Sequence, residues 1–117
     1  MGVLDAVAAR VAAGATVVFR PTGNSMVPLI RSRDRVTVAP VDPAAVQPGD
    51  IVLARVAGTV YLHLVSAVDA ANCRVQISSN RGRVNGWTSH ARVYGICTRV
   101  EDADRPRTEG KVRNAEP

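Results

Sequence analysis

Valine dominates this chain. Twenty of its 117 residues are valine and five are leucine. A side chain branched at Cβ is stiff at χ1, loses freedom in a helix and packs well on a pleated surface, so the composition favours strands. The valines also fall in short alternating runs cut by turn-forming residues. The spacing predicts strands at 15–20, 35–39, 51–56, 60–68, 73–78 and 91–100. Ala57-Gly58-Thr59 reads as a hairpin turn, and Asp69 to Asn72 as a second turn. Residues 41–50, with two prolines and a closing Pro-Gly-Asp, read as a connector with room for one helical turn. The stretch 79–90, rich in Asn, Gly and Ser, reads as a loop. Only residues 3–13 carry a helical pattern, with Val3, Leu4, Val7 and Val11 on one stripe and Gly14 as the stop. Strands without intervening helices predict a mainly β, antiparallel, curled and partly barrel-like fold with a short N-terminal helix.

At 117 residues the chain has the length of one domain. No apolar run approaches the ~20 residues that cross a bilayer as a helix. Asp5 and Arg10 interrupt the apolar N-terminus, and no basic residue precedes it, which argues against a secretory leader. The expectation is a soluble, cytoplasmic chain without a membrane span. Oligomeric state is not readable from the sequence.

The formal net charge is +5, and its distribution is uneven. Residues 1–100 hold eleven arginines against five aspartates; residues 101–117 hold four basic and five acidic residues. The single lysine, Lys111, and all three glutamates lie in that tail. Arg31, Arg33, Arg35 and the pair Arg81, Arg83 cluster along the sequence. Four aromatic residues leave little for base stacking, which argues against nucleic acid as the partner. Cys73 and Cys97 fall among strand residues, where a thiol behaves as a small hydrophobe. With His63 and His90 they show no C-x-x-C or H-x3-H pairing, so neither a metal nor another cofactor is expected.

Three segments bear on chemistry. In Gly23-Asn24-Ser25-Met26-Val27-Pro28 the serine either caps the following segment or presents its hydroxyl on a loop, with Gly23 free to adopt a tight turn. In the strand VYLHLVSAV, alternation places Tyr61, His63 and Val65 on one face and Val60, Leu62 and Leu64 on the other. Both faces are apolar, so burial should keep the His63 ring neutral, the form that accepts a proton. The loop from Ser79 to His90 contains Asn80, Asn85 and Trp87.

Taken in order, these segments resemble the LexA and signal-peptidase superfamily of serine peptidases. GNSMVP (23–28) matches its Gly-x-Ser-Met-x-Pro element. SRDRVTV (32–38) matches the next, with Arg33 in place of a glycine and Asp34 kept. PGDIVLARV (48–56) matches the Gly-Asp-Ile-Val element, and VYGIC (93–97) the closing strand. YLHLVSAV (61–68) is similar to the strand bearing the histidine base in eukaryotic- and archaeal-type signal peptidases, with Leu64 replacing an arginine.

The expected organisation is an N-terminal helix at 1–14 from its spacing, a β domain at 15–100 that the resemblance reads as peptidase-like, and a polar tail at 101–117 that has few apolar groups to bury and is expected to be disordered. It implies a serine endopeptidase acting on a peptide or protein substrate, with Ser25 as nucleophile and a lysine or histidine as base. No lysine lies on the relevant strand and His90 lies in another segment, which leaves His63. Backbone N–H groups at Ser25 and its neighbours Gly23, Asn24 and Met26 would hold the oxyanion. Relatives of the histidine type orient the ring with an aspartate, yet no acid lies between Asp69 and Glu101. Asn80 or Asn85 would take that place. The missing acid motivates an alternative, a catalytically impaired peptide- or protein-binding module with Trp87 as a contact. Asp34 and Asp50 are expected to bond turns. Ala13-Gly14 matches the bond type at which such relatives cut themselves, but it lies too close to Ser25, and on a helix stop, for self-cleavage to be expected. With no anchor or DNA-binding domain ahead of the matched region, a signal peptidase proper or a full repressor is not expected.

Overall fold

The computed structural model describes residues 2–102 of the chain. Seven strands form one antiparallel sheet, curled but not closed, with one α-helix against it. The helix is α1 (Val3–Ala12); the strands are β1 (Val17–Phe19), β2 (Arg35–Pro40), β3 (Ile51–Val56), β4 (Thr59–Asp69), β5 (Arg74–Ser78), β6 (Val84–Ser89) and β7 (Val93–Glu101). Their spatial order is β1-β2-β7-β3-β4-β5-β6. Of the tail read from the sequence, Glu101 ends β7 and residues 103–117 lie outside the described part.

The valines are used on both sides of the sheet. Leu53, Val36, Val38, Val60 and Leu62 pack with Val7, Ala8 and Val11 of α1. Val52, Ala54, Val56, Val65, Val75, Ile77 and Val93 form a second cluster on the opposite side. That cluster needs no helix because the sheet folds over itself. The Thr88 hydroxyl of β6 donates to the Arg55 carbonyl of β3 at 2.6 Å, although the two strands are not neighbours in the sheet.

The local signals act where the sequence placed them. Gly14 takes φ 104 and its N–H bonds to Val11 O, closing α1 in a left-handed stop. Ala57 and Gly58 both have positive φ, as a two-residue hairpin turn between twisted strands requires. The connector 41–50 contains a single 3₁₀ turn, Pro43–Ala45, started by Asp42. Asp34 and Asp50 act alike: the first accepts from Arg31 N–H at 2.8 Å, the second from Gln47 N–H at 2.9 Å. Arg33, where the resembled pattern has glycine, sits at φ 73.

Two expectations need correction. The stretch 79–90 is not all loop, since Val84–Ser89 pairs with β5 from Ser78↔Val84 to Arg74↔Ser89. Asn85 and Gly86 are poor strand formers, but ladder pairing and the Thr88 contact across the curl override that preference. The turn proper is short, with Ser79 N–H donating to Arg83 O at 2.8 Å. Cys73 is not a strand residue packed in apolar surroundings. It ends the 3₁₀ turn Ala70–Asn72 at φ 53 and is exposed, because β5 begins one residue later. Cys97 does lie within β7, half-buried, and burial pushes its thiol pKa up.

Candidate active site

Residues 20–34 cross from β1 to β2 as a loop of turns. Gly23 begins it at φ 113, a backbone region that side-chain-bearing residues rarely adopt, and its N–H reaches Ser32 Oγ at 3.3 Å to close the base of the loop. Met26 and Ile30 are buried in the helix-side core and are joined by the bond Ile30 N–H to Met26 O at 2.9 Å. The Val27–Pro28 peptide is cis. The loop is thus held from below by two apolar side chains, while Ser25, directly ahead of Met26, stays exposed.

The Ser25 hydroxyl does not cap the turn that follows. Its Oγ lies 2.9 Å from His63 Nε2, bridging residues 38 apart in sequence. His63 is buried on β4, opposite Val52, with the Tyr61 ring 5.0 Å away on the same face. Its second nitrogen, Nδ1, lies 2.6 Å from Asn85 Oδ1 on β6. An amide oxygen only accepts, so Nδ1 carries the ring proton and Nε2 presents its lone pair to the serine hydroxyl. Burial lowers the His63 pKa from its ordinary 6.5; the bond to Asn85 works weakly the other way. At neutral pH the ring is therefore uncharged.

The two asparagines named from the sequence do different things. Asn85 faces the ring. Asn80 does not; it braces the serine loop, donating its backbone N–H to Ser25 O at 2.9 Å and its side-chain N–H to Val27 O at 3.0 Å. Ser25, His63 and Asn85 open onto one cleft of about 700 Å³, whose lining includes Gly23 and Met26 but not Asn24, Asn80 or Trp87. Trp87 is exposed, with the Arg74 guanidinium 5.0 Å over its ring. Among the described residues the N–H groups of Asn24, Ser25 and Met26 donate to no protein acceptor.

Sequence reasoning overlooked several participants. Leu4 of α1 forms part of the cleft wall, as do Arg31, Arg81 and Arg83. Ser79 Oγ accepts from the N–H groups of both Arg81 and Arg83 at 3.2 Å and shapes the hairpin that carries Asn85. A serine ahead of an Arg-Gly-Arg run was the available sign of that turn. Nothing in the sequence marks Leu4 as a cleft residue, since its spacing fits the core stripe equally well.

Among the described residues no three His, Cys, Asp or Glu side chains come together as a metal site, and no helix is long and apolar enough to cross a membrane. A sequence model of the family described as Peptidase S24-like matches residues 4–82. That span includes Ser25, His63 and Asn80 and stops short of Asn85. No curated protein and no solved structure gives a significant match.

Proposed function

We propose, because the chain belongs to the Peptidase S24-like family, that it is a serine endopeptidase with Ser25 as nucleophile and His63 as general base. The observation that carries this reading is the 2.9 Å approach of Ser25 Oγ to a buried, neutral imidazole. Ser25 Oγ attacks the carbonyl carbon of the substrate peptide bond and passes its proton to His63 Nε2. The oxyanion accepts from the unpartnered N–H groups around Ser25. As the tetrahedral intermediate collapses, the amine leaves with the proton from Nε2. A water then gives its proton to Nε2 as it attacks the acyl-serine, and the second tetrahedral intermediate collapses with Ser25 Oγ taking that proton back from Nε2 as the acid product departs. Asn85 Oδ1 holds Nδ1–H throughout, so the ring keeps one orientation. An amide in place of a carboxylate also motivates the reading of a binding module without catalysis. The direct Ser25–His63 contact supports the enzyme.

The test is digestion of a peptide library by the purified protein. Cleavage should rise with pH along a limb whose midpoint lies below 6.5, because burial disfavours the protonated ring. No cleavage at any pH, or a midpoint well above 6.5, would overturn the assignment. Stability should follow the same group. The unfolded ring takes up its proton near 6.5 and the folded ring only at lower pH, so stability falls as pH drops through 6.5 and levels off below the folded value.

Asn85→Asp should increase the rate by roughly tenfold. A charged acceptor stabilises the imidazolium that forms during attack by about 1–2 kcal/mol more than a neutral one does. The gain is smaller than the loss of about 10⁴ known for the reverse change in a Ser-His-Asp triad, because Asn85 already holds the correct tautomer. The acid limb of the pH profile should shift upward in this variant; a rate and profile matching the wild type would count against a role for Asn85.

A further inference from the structure

The cleft contains an unbalanced charge. Arg31 stands on the serine-loop wall, and Arg81 and Arg83 stand on the wall formed by the β5–β6 turn; the lining holds no Asp or Glu. All three arginines are exposed, and no ion pair joins any of them to a described carboxylate. Acids elsewhere are engaged: Asp5 with Arg55, Asp69 with Arg74, and Glu101 with Arg35 and Arg99. Three like charges around one concave site repel one another and raise its potential, which favours an anionic occupant. The lining also contains the aliphatic side chains Leu4, Met26, Ile30 and Leu62, alongside the polar Ser25, His63, Ser79 and Asn85. The aromatic ring in the lining, Tyr61, packs on His63. Aliphatic walls suit a peptide side chain and offer little to a stacked base.

We propose that Arg31, Arg81 and Arg83 make this cleft selective for acidic peptides, with Asp or Glu side chains on both sides of a short aliphatic segment seated between the two walls. The inference rests on the cleft being the peptide site of the proposed enzyme. It adds the substrate class. Guanidinium groups suit this role because each can bind a carboxylate through two parallel N–H bonds.

The experiment measures binding and cleavage separately. Binding of short fluorescent random peptides with two fixed positions set to Glu, Gln or Lys is measured on the Ser25→Ala protein, which retains the cleft. The Glu set should bind roughly tenfold more tightly than the Gln set, from two exposed charge pairs. That ratio should fall toward one at about 0.5 M salt. The double variant Arg81→Glu/Arg83→Glu, changed only at exposed positions, should reverse the order in favour of Lys. Cleavage of the same sets by the wild type should show the same preference. Equal affinity for Glu, Gln and Lys sets would overturn the proposal, as would tighter binding of a polythymidine oligonucleotide, which would mark the arginines as a phosphate site. Glu-selective binding without cleavage by the wild type would keep the substrate class and remove the peptidase reading. Cleavage without Glu preference would do the reverse.

Discussion

Alanine at position 25 is expected to lower peptide cleavage by at least about 10³-fold while leaving the fold intact. Losing the nucleophile of a Ser-His system costs more than that where a full triad is present, because the remaining groups then assist only direct attack by water. The starting rate expected here is lower, since an amide replaces the carboxylate behind the histidine, so the expected drop is correspondingly smaller. Folding is insulated from the change: Ser25 is exposed, and the brace from Asn80 uses the Ser25 carbonyl, not its hydroxyl. His63→Ala should cost about as much, and the double variant little more than either single one, because two parts of one proton-transfer unit do not add. Product formation from a library peptide, followed by mass spectrometry, gives the comparison. Activity in Ser25→Ala within a few-fold of the wild type would place the nucleophile elsewhere.

The second large effect concerns stability. Gly95→Ala is expected to destabilise the protein by about 2–3 kcal/mol, lowering the melting temperature by roughly 10–15 °C in a chain of this size. Gly95 lies in β7 beneath α1. A Cβ there would fall 2.6 Å from the Ala39 carbonyl oxygen, 2.6 Å from Val11 Cγ1 and 2.9 Å from Val38 Cγ1. Two of these are side chains that can yield a little; the carbonyl belongs to the β2 backbone, paired with β7, and cannot move without straining the ladder. The helix must therefore lift or the strands must part. Circular dichroism melting measures the effect, and an unchanged midpoint would show that α1 does not seat where described. Because α1 also contributes Leu4 to the cleft wall, cleavage should decline in this variant below its melting point.

The fold was legible where local chemistry and tertiary demand agree. Val7 and Val11 with Gly14 define a helix, and Ile51–Val56 and its partner strand are alternating valine-rich runs joined by Ala57-Gly58. It was illegible at β6, where Asn85 and Gly86 carry no strand preference and the pairing with β5 decides. For the same reason the choice between Asn80 and Asn85 stayed open. Which amide meets the ring depends on the register of β6 against β5, including the irregularity between Ile77 and Ser78, and nothing local in the sequence encodes that offset. Cys73 departs from its expected strand setting because a turn with positive φ at a non-glycine residue leaves little mark on composition. The cleft arginines were visible as a charge surplus, but only the folded chain separates Arg31, which lines the cleft, from Arg35, which is paired with Glu101.

The β5–β6 turn and the start of β6 gather three tasks within six residues. Asn80 grips the serine loop by its Ser25 and Val27 carbonyls, Arg81 and Arg83 border the cleft, and Asn85 steadies the imidazole. A ligand pulling on those guanidinium groups would therefore load the same short arm that aligns the proposed nucleophile and base. On the proposed reading occupancy and alignment are geared together, so displacing this arm should part Ser25 from His63 without altering either side chain.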